Sequence, residues 1–133
     1  MTNDEIFELA ARHGLRLEGE LRFNEMGIDF RVAFARGADG TEWVLRIPRR
    51  EGLAEQIERE RRILELVKRH LSVSVPDWCV AAPDLVAYPL LPEPPVLTFD
   101  AVTYEVTWNI DREDNRYTAS LAGILCELHR VPA

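Results

Sequence analysis

The sequence predicts an α+β fold, in which an antiparallel sheet of about five strands packs against helices. Three observations predict it. Short runs carry apolar residues at every second position, a long segment repeats them at spacings of three and four, and the chain closes with a second helical pattern. In chain order the elements are a helix, three strands, a helix, two or more strands and a helix, which is an α+β arrangement. The 133 residues are enough for one modest core.

The N-terminal half is predicted to be a helix followed by a three-stranded meander. Thr2 and Glu5 have the spacing of a capping box, and an apolar helical stripe follows them. Alternating apolar positions then predict three strands. These lie over residues 15–23, 28–34 and 42–47.

The remaining elements follow from the same two periodicities. Residues 52–70 have the strongest helical pattern in the chain. Residues 85–91 form an apolar run in which Pro89 indicates the edge or the end of a strand. Alternation over residues 102–110 predicts a further strand or hairpin arm, and residues 117–129 predict a last helix.

The composition excludes several classes of function. With 16 basic and 23 acidic residues, the formal net charge is −7, which argues against a general binder of nucleic acids or anionic membranes. No apolar run approaches the roughly 20 residues of a membrane span, and the N-terminus has no signal-peptide core. Cys79 and Cys126 lack metal-ligand spacing, so we expect free thiols in a reduced cytoplasm.

One charge is unusual in the helix over residues 52–70. Its apolar seam consists of Leu53, Ile57, Leu64, Val67 and Leu71, and the only charge in that seam is Glu60. In the third strand, alternation puts Arg46 on the same face as Val44. A carboxylate that faces a core is costly unless it is paired, so we expect a partly buried Arg46–Glu60 ion pair. Two alternatives stay open: Glu60 reaches water at the edge of the seam, or the pair is structural and binds no ligand.

The predicted pair indicates a nucleotide site. Protein kinases use a strand cation, held by a helix glutamate, to contact nucleotide phosphates. Arginine adds a planar fork that can bind a carboxylate and a phosphate together. The loop over residues 24–29, with Gly27 in it, can cover a triphosphate with backbone N–H donors, although it is also an ordinary hairpin loop.

Two further features fit a purine base, and each has a plain structural alternative. Val32 and Val44 can sandwich the ring, or can be ordinary core valines. Residues 85–91 and the prolines after them can be a hinge, or a buried strand and a loop. In a hinge, Pro89 offers only its C=O group, so the N–H of Leu91 is the expected donor to the purine edge.

Four segments carry a family resemblance. They are Asn24-Glu25-Met26-Gly27-Ile28-Asp29-Phe30-Arg31-Val32, Trp43-Val44-Leu45-Arg46-Ile47-Pro48-Arg49-Arg50, Val75-Pro76-Asp77-Trp78 and Leu85-Val86-Ala87-Tyr88-Pro89-Leu90. Together they resemble the N-terminal lobe of macrolide 2'-phosphotransferases, in the aminoglycoside-phosphotransferase branch of the protein-kinase-like superfamily. The resemblance implies a kinase-like nucleotide-binding lobe over residues 1–91. Residues 92–133 would hold the hinge or linker, a strand or hairpin and the first interlobe helix.

The resemblance also implies an activity and its ligands. The family phosphorylates the 2'-hydroxyl of the desosamine sugar on macrolides such as erythromycin, generally with GTP, and so gives antibiotic resistance. The intact enzyme would use GTP or ATP with Mg²⁺. Arg46 would contact the phosphates, Glu60 would orient Arg46, and the 24–29 loop would cover the phosphates. The loop consists of Asn24, Glu25, Met26, Gly27, Ile28 and Asp29, and the hinge of Tyr88, Pro89, Leu90 and Leu91.

One departure from the family pattern concerns catalysis. The family's catalytic loop carries a His-Gly-Asp signature followed later by a metal-binding aspartate, and no His-Gly-Asp occurs in this chain. We therefore expect a truncated portion that lacks the catalytic lobe, is inactive alone and self-associates through an exposed interlobe face. Two alternatives stay open: a lobe serving an aminoglycoside or another small alcohol, or a non-catalytic α+β interaction domain.

Overall fold

The N-terminal helix begins at the predicted capping box. The computed structural model describes residues 1–132, and in it helix α1 spans Asn3–Arg12. The Thr2 hydroxyl accepts a hydrogen bond from the N–H of Glu5, and the Glu5 carboxylate accepts one from the N–H of Thr2. Two N–H groups without helical partners are thereby satisfied. The buried face of α1 consists of Ile6, Leu9 and Ala10.

Five antiparallel strands form the main sheet. They are β1 (Leu17–Asn24), β2 (Phe30–Gly37), β3 (Glu42–Pro48), β4 (Val80–Ala82) and β5 (Leu85–Pro89), in the spatial order β1-β2-β3-β5-β4. The meander and the strand that ends at Pro89 are confirmed. The sequence reading missed β4, because three residues are too few to show an alternation.

The sheet has an apolar core on each face, because successive side chains of a strand point to opposite sides. The core shared with α1 consists of Ile6, Leu9, Ala33, Ala35, Leu45, Ile47, Val80, Leu85 and Ala87. The core on the other face consists of Phe30, Leu53, Ile57 and Val86, with Trp78 and Tyr88 packed against it. Helix α2 (Ala54–Lys68) therefore lies on the face that carries Arg46.

The chain divides into two compact units. One contains Met1–Leu64 and Pro76–Leu90, and the other contains Glu65–Val75 and the chain from Leu91 onward. The second unit has a two-stranded hairpin, with β6 at Leu97–Phe99 and β7 at Val106–Trp108. Helix α3 (Asn115–His129) follows and confirms the predicted last helix, and the Asp114 side chain caps it.

The strand or hairpin arm predicted over residues 102–110 is present as β7, one arm of the hairpin, but it is shorter than predicted. Only Val106–Trp108 is extended and paired, whereas Val102 and Tyr104 lie in the turn of the hairpin. The side chain of Asp100 accepts hydrogen bonds from the N–H groups of Val102 and Thr103 and so fixes that turn. The backbone of Tyr104 has a φ of 59°, which a strand residue does not adopt.

Two general features complete the description of residues 1–132. No helix in this range has both the length and the apolar character needed to cross a membrane. Cys79 and Cys126 are both free thiols and both are exposed.

Candidate functional site

The predicted ion pair joins β3 to α2. Nη1 of Arg46 donates to Oε2 of Glu60 at 2.8 Å, and Nη2 donates to Oε1 at 3.5 Å. The side chains are 20% and 35% exposed, so both are partly buried. The hydrogen bond from Arg46 is the main reason that the pKa of the Glu60 carboxyl lies below its ordinary value. Glu60 is therefore ionised at neutral pH and able to orient the guanidinium.

Aromatic rings hold the guanidinium of Arg46 on two further sides. Its central carbon lies 4.3 Å from the ring centroid of Phe30 and 5.4 Å from that of Trp78. Both distances are within the range of cation–π attraction. Phe30 shares a strand face with Val32, so alternation could have identified it. Trp78 lies in an irregular segment, where no periodicity indicates its direction.

A third hydrogen bond to Glu60, from Gln56, was not predicted. Nε2 of Gln56 donates to Oε1 of Glu60 at 3.3 Å, one helical turn earlier on α2. The spacing of four residues could have indicated this contact. Glu60 is thus held from its own helix and from the sheet.

The strand register places the other predicted residues in two rows beside this pair. In the first row, Asn24 pairs with Val32, Val32 with Arg46, and Arg46 with Val86. Directly paired residues share a face of the sheet. The row therefore runs from the start of the 24–29 loop to β5 and passes through Arg46.

The second row consists mainly of apolar and aromatic residues. It runs from Arg22 to Phe34, then to Val44 and then to Tyr88. Val44 is buried, and Tyr88 is half-buried, which raises the pKa of its phenol. Val32 and Val44 thus lie on adjacent strands and on the same face as Arg46, an arrangement in which a flat ring can stack on both.

The backbone N–H and C=O groups after Tyr88 face known sides of the strand. The N–H of Leu90 donates to the C=O of Glu42 on β3 at 2.8 Å. Backbone groups of successive strand residues alternate between the two sides of the strand. The C=O of Pro89 therefore points away from β3, and β4 pairs only with Leu85–Ala87, so it does not reach Pro89.

The 24–29 loop is shaped by local contacts. The N–H of Met26 donates to the Asn24 side chain at 3.0 Å. A Cβ added to Gly27 would lie 2.4 Å from the backbone oxygen of Phe30, so the loop leaves no room for a larger residue there. Ile28 is 91% exposed, and the carboxylate of Asp29 accepts a hydrogen bond from Nε of Arg50 at 3.0 Å.

Within residues 1–132, no group of three or more His, Cys, Asp or Glu side chains is arranged to hold a metal ion. The site described above therefore offers one oriented cation, an apolar surface beside it and a loop at the end of the same row. Such a set can bind the base and the phosphates of a nucleotide.

Comparison with known proteins gives matches along most of the chain. Residues 20–133 match the profile of the phosphotransferase enzyme family. The apoenzyme structure of macrolide 2'-phosphotransferase MphH from Brachybacterium faecium is 49% identical, with a TM-score of 0.90. It matches 98% of this chain and 44% of its own length.

Two further proteins match in the same region. A type I macrolide 2'-phosphotransferase structure is 39% identical with a TM-score of 0.87, over 99% of this chain and 45% of its own. The uncharacterised protein YcbJ of Bacillus subtilis (strain 168) is 38% identical over 128 residues, which cover 94% of this chain and 42% of YcbJ. The chain thus spans less than half the length of these relatives. The α+β fold with a kinase-like N-terminal lobe is confirmed.

Proposed function

The chain belongs to the phosphotransferase enzyme family, and we propose that it is the nucleotide-binding portion of a macrolide 2'-phosphotransferase. The observation that carries the proposal is the Arg46–Glu60 pair, fixed on the sheet face that also carries Val32 and Val44. The similarity to MphH, 49% identical over 98% of this chain, supports the macrolide class.

In this proposal the base and the phosphates bind to different parts of the same sheet face. The purine ring stacks on Val32 and Val44, and its edge meets the C=O of Pro89 and the N–H of Leu91. The phosphates lie beside Arg46, and the backbone N–H groups of the 24–29 loop cover them. Glu60 keeps the guanidinium in place, so that little ordering remains to be done when the phosphates arrive.

We propose GTP as the preferred nucleotide and ATP as the alternative, and the titration of this chain with both is the test. The chain should bind each Mg²⁺–nucleotide complex weakly, because it supplies only part of the contacts of an intact kinase. Amide resonances of residues 24–29 and 88–91 should shift in nuclear magnetic resonance spectra. If millimolar GTP and ATP both leave those resonances unchanged, the nucleotide proposal fails.

We propose that the Mg²⁺ ligands of the intact enzyme lie outside this chain, since the family's metal-binding aspartate follows a His-Gly-Asp signature that this sequence lacks. In the intact enzyme the metal would neutralise phosphate charge. This chain contributes the orientation of the nucleotide through Arg46, Glu60 and the loop. The hydroxyl of the acceptor and the group that takes its proton would be bound elsewhere.

The acceptor class needs its own experiment. We propose that the 133 residues alone do not phosphorylate erythromycin with GTP, and that a protein extended by a catalytic lobe does. Mass spectrometry after incubation distinguishes the cases. A phosphate adduct formed by the 133 residues would show that a catalytic group has been overlooked. If the extended protein forms no adduct, the nucleotide site is unaffected, but the proposal of a macrolide acceptor fails.

Two surface features bear on location and association. Exposed free thiols at Cys79 and Cys126 favour a reducing cytoplasm, which is the location that we propose.

The second unit exposes several large apolar side chains, and we propose that they promote self-association of the isolated chain. They include Leu97, Phe99, Val106, Trp108, Tyr117, Leu121, Leu125 and Leu128. Light scattering across a concentration series tests this; a constant monomer mass would contradict it.

A further inference from the structure

The 24–29 loop is fastened by an arginine that lies just beyond the end of β3. Nε of Arg49 donates to the C=O of Gly27 at 3.0 Å. Its Nη2 donates both to the C=O of Glu25 at 3.2 Å and to Oε2 of the same residue at 2.6 Å. One guanidinium therefore bonds two backbone carbonyls and one carboxylate of the loop.

The backbone of Arg49 and a second arginine add to this attachment. The N–H of Arg49 donates to the C=O of Asp29 at 2.8 Å. Nε of Arg31 donates to Oε1 of Glu25 at 2.6 Å, so the Glu25 carboxylate lies between two guanidinium groups. Their hydrogen bonds, that of Arg49 first, lower the pKa of Glu25 and keep it ionised. The cluster of Glu25, Arg31 and Arg49 is called the loop clamp below.

The loop clamp determines which backbone groups of the loop are occupied by hydrogen bonds. The carbonyls of Glu25, Gly27 and Asp29 all accept hydrogen bonds from Arg49. Among the hydrogen bonds of residues 1–132, none uses the N–H groups of Gly27 or Ile28 as donors. Anions bind to backbone N–H groups and are repelled by carbonyl oxygens. Hydrogen bonds that occupy the carbonyls of the loop therefore favour anion binding.

The charge of Glu25 identifies which role Arg49 has. A carboxylate in a loop that covers phosphates repels them, so it is unfavourable there unless it has a structural task. If Arg49 served as a free cation for the phosphates, Glu25 would neutralise it and weaken binding. If Arg49 serves to hold the loop, Glu25 is the anchor that its fork requires.

We propose that Arg49 is a positioning residue for the nucleotide, which holds the carbonyls of the 24–29 loop so that its N–H groups face the phosphates. The proposal rests on the nucleotide-binding function proposed above. It assigns Glu25 the role of anchor and predicts that both residues affect the phosphates and leave the base unaffected.

The test compares Arg49→Lys and Glu25→Gln with the unchanged 133-residue chain. Affinities for GTP and for guanosine, which has no phosphate, are measured by chemical-shift titration. Arg49→Lys keeps the charge and loses the fork, and Glu25→Gln removes a negative charge. Both should weaken GTP binding about tenfold, as expected from losing one charge-assisted hydrogen bond. Guanosine binding should stay the same.

A matched pair of controls is available on α2. Arg61 donates to both oxygens of Glu58, which also accepts from Arg62, so Glu58 lies between two arginines as Glu25 does. The side chains of Arg61 and Arg49 are both 34% exposed. Arg61→Lys and Glu58→Gln should therefore leave the affinities for GTP and guanosine unchanged.

Amide hydrogen exchange of Met26 and of residue 49, whose N–H groups donate to the Asn24 side chain and to the C=O of Asp29, gives a readout without any nucleotide. Exchange at these two amides should be several-fold faster in Arg49→Lys and in Glu25→Gln than in the unchanged chain. Circular dichroism verifies that each variant is folded. Unchanged exchange in both folded variants would overturn the proposal, whatever the nucleotide does.

The outcomes of the titrations separate two kinds of failure. Stronger GTP binding by Glu25→Gln would mean that Arg49 acts as a free cation on the phosphates, and the proposal would be overturned. Equal GTP binding by Arg49→Lys and the unchanged chain, or equal losses in the α2 controls, would also overturn it. If the unchanged chain itself binds neither GTP nor guanosine, the nucleotide function fails first and the proposal with it.

Discussion

Replacing Glu60 with glutamine tests the central pair of the site. Glu60→Gln keeps the size of the side chain and its place one turn after Gln56, and removes the negative charge. Arg46 then keeps its positions near Phe30 and Trp78 and loses the carboxylate that neutralises it. We expect the variant to fold and to have a smaller free energy of unfolding.

The expected size of the loss follows from partial burial. Breaking a fully buried ion pair by removing one partner costs about 3–5 kcal/mol, and breaking an exposed pair costs about 0.2–1 kcal/mol. The side chains of Arg46 and Glu60 retain 20% and 35% of their exposure, so solvent screens the pair in part. A loss of about 2 kcal/mol lies between these limits.

The loss should also depend on pH with a definite sign. Arg46 holds the pKa of the folded-state Glu60 carboxyl below the ordinary value of 4.5. A group with a depressed folded-state pKa stabilises the fold fully above its unfolded-state pKa, and the contribution disappears as pH falls through the folded-state pKa. The difference between the unchanged chain and Glu60→Gln should therefore be full at pH 7 and smaller at pH 3.

Urea denaturation at pH 7 and pH 3 measures both effects. Tryptophan fluorescence is informative, because Trp78 lies close to Arg46. Glu58→Gln is the control, since it makes the same substitution on the same helix in a pair whose arginines belong to α2 itself. The reasoning is refuted if Glu60→Gln changes the free energy of unfolding at pH 7 by less than about 0.5 kcal/mol, or if its cost is the same at both pH values.

Three further predictions address the core, the helix surface and the loop. Leu45→Ala removes a side chain with no exposure from the core next to α1, so urea denaturation should give a loss of about 3 kcal/mol; a loss below about 1 kcal/mol would contradict the packing. Hydrogen bonds from Arg61 and Arg62 lower the pKa of Glu58 to about 2, so its carboxyl resonance should titrate there and move toward the ordinary value in Arg61→Lys. Gly27→Ala should weaken GTP binding and lower the urea midpoint, because the added Cβ would lie 2.4 Å from the backbone oxygen of Phe30 and the loop or β2 must shift; unchanged affinity would exclude a role of the loop's shape.

The main sheet and its helices could be predicted because each leaves a periodic pattern in the sequence. β2 and β3 alternate over seven or eight residues, and the capping box of α1 occupies only four. The three-residue strands β4 and β6 lack this information. β4 and β6 are extended only because a neighbour pairs with them, so their cause lies elsewhere in the chain.

Whether a residue belongs to a periodic pattern also explains which parts of the site were predictable. Arg46 and Glu60 were found because each interrupts a regular pattern, and a charge in an apolar pattern requires a partner. The partner could then be inferred from a second interruption, Arg46 in the strand just before the helix. Trp78 and Arg49 interrupt nothing, since both lie in irregular segments, and their contacts depend on how the chain returns to the site.

The predictable residues and the loop residues are held in place in different ways. The residues that the pattern identifies are fixed by regular elements, so their geometry exists before any nucleotide binds. The loop over residues 24–29 has no such support from its own backbone, and its carbonyls are bonded instead to Arg49 and its carboxylate to Arg31. A surface loop without these bonds would have to be ordered when the phosphates bind, and that entropy would reduce the affinity. In the proposed nucleotide site, Arg31 and Arg49 would thus contribute to binding by the order that they impose on the loop, and not by their charge.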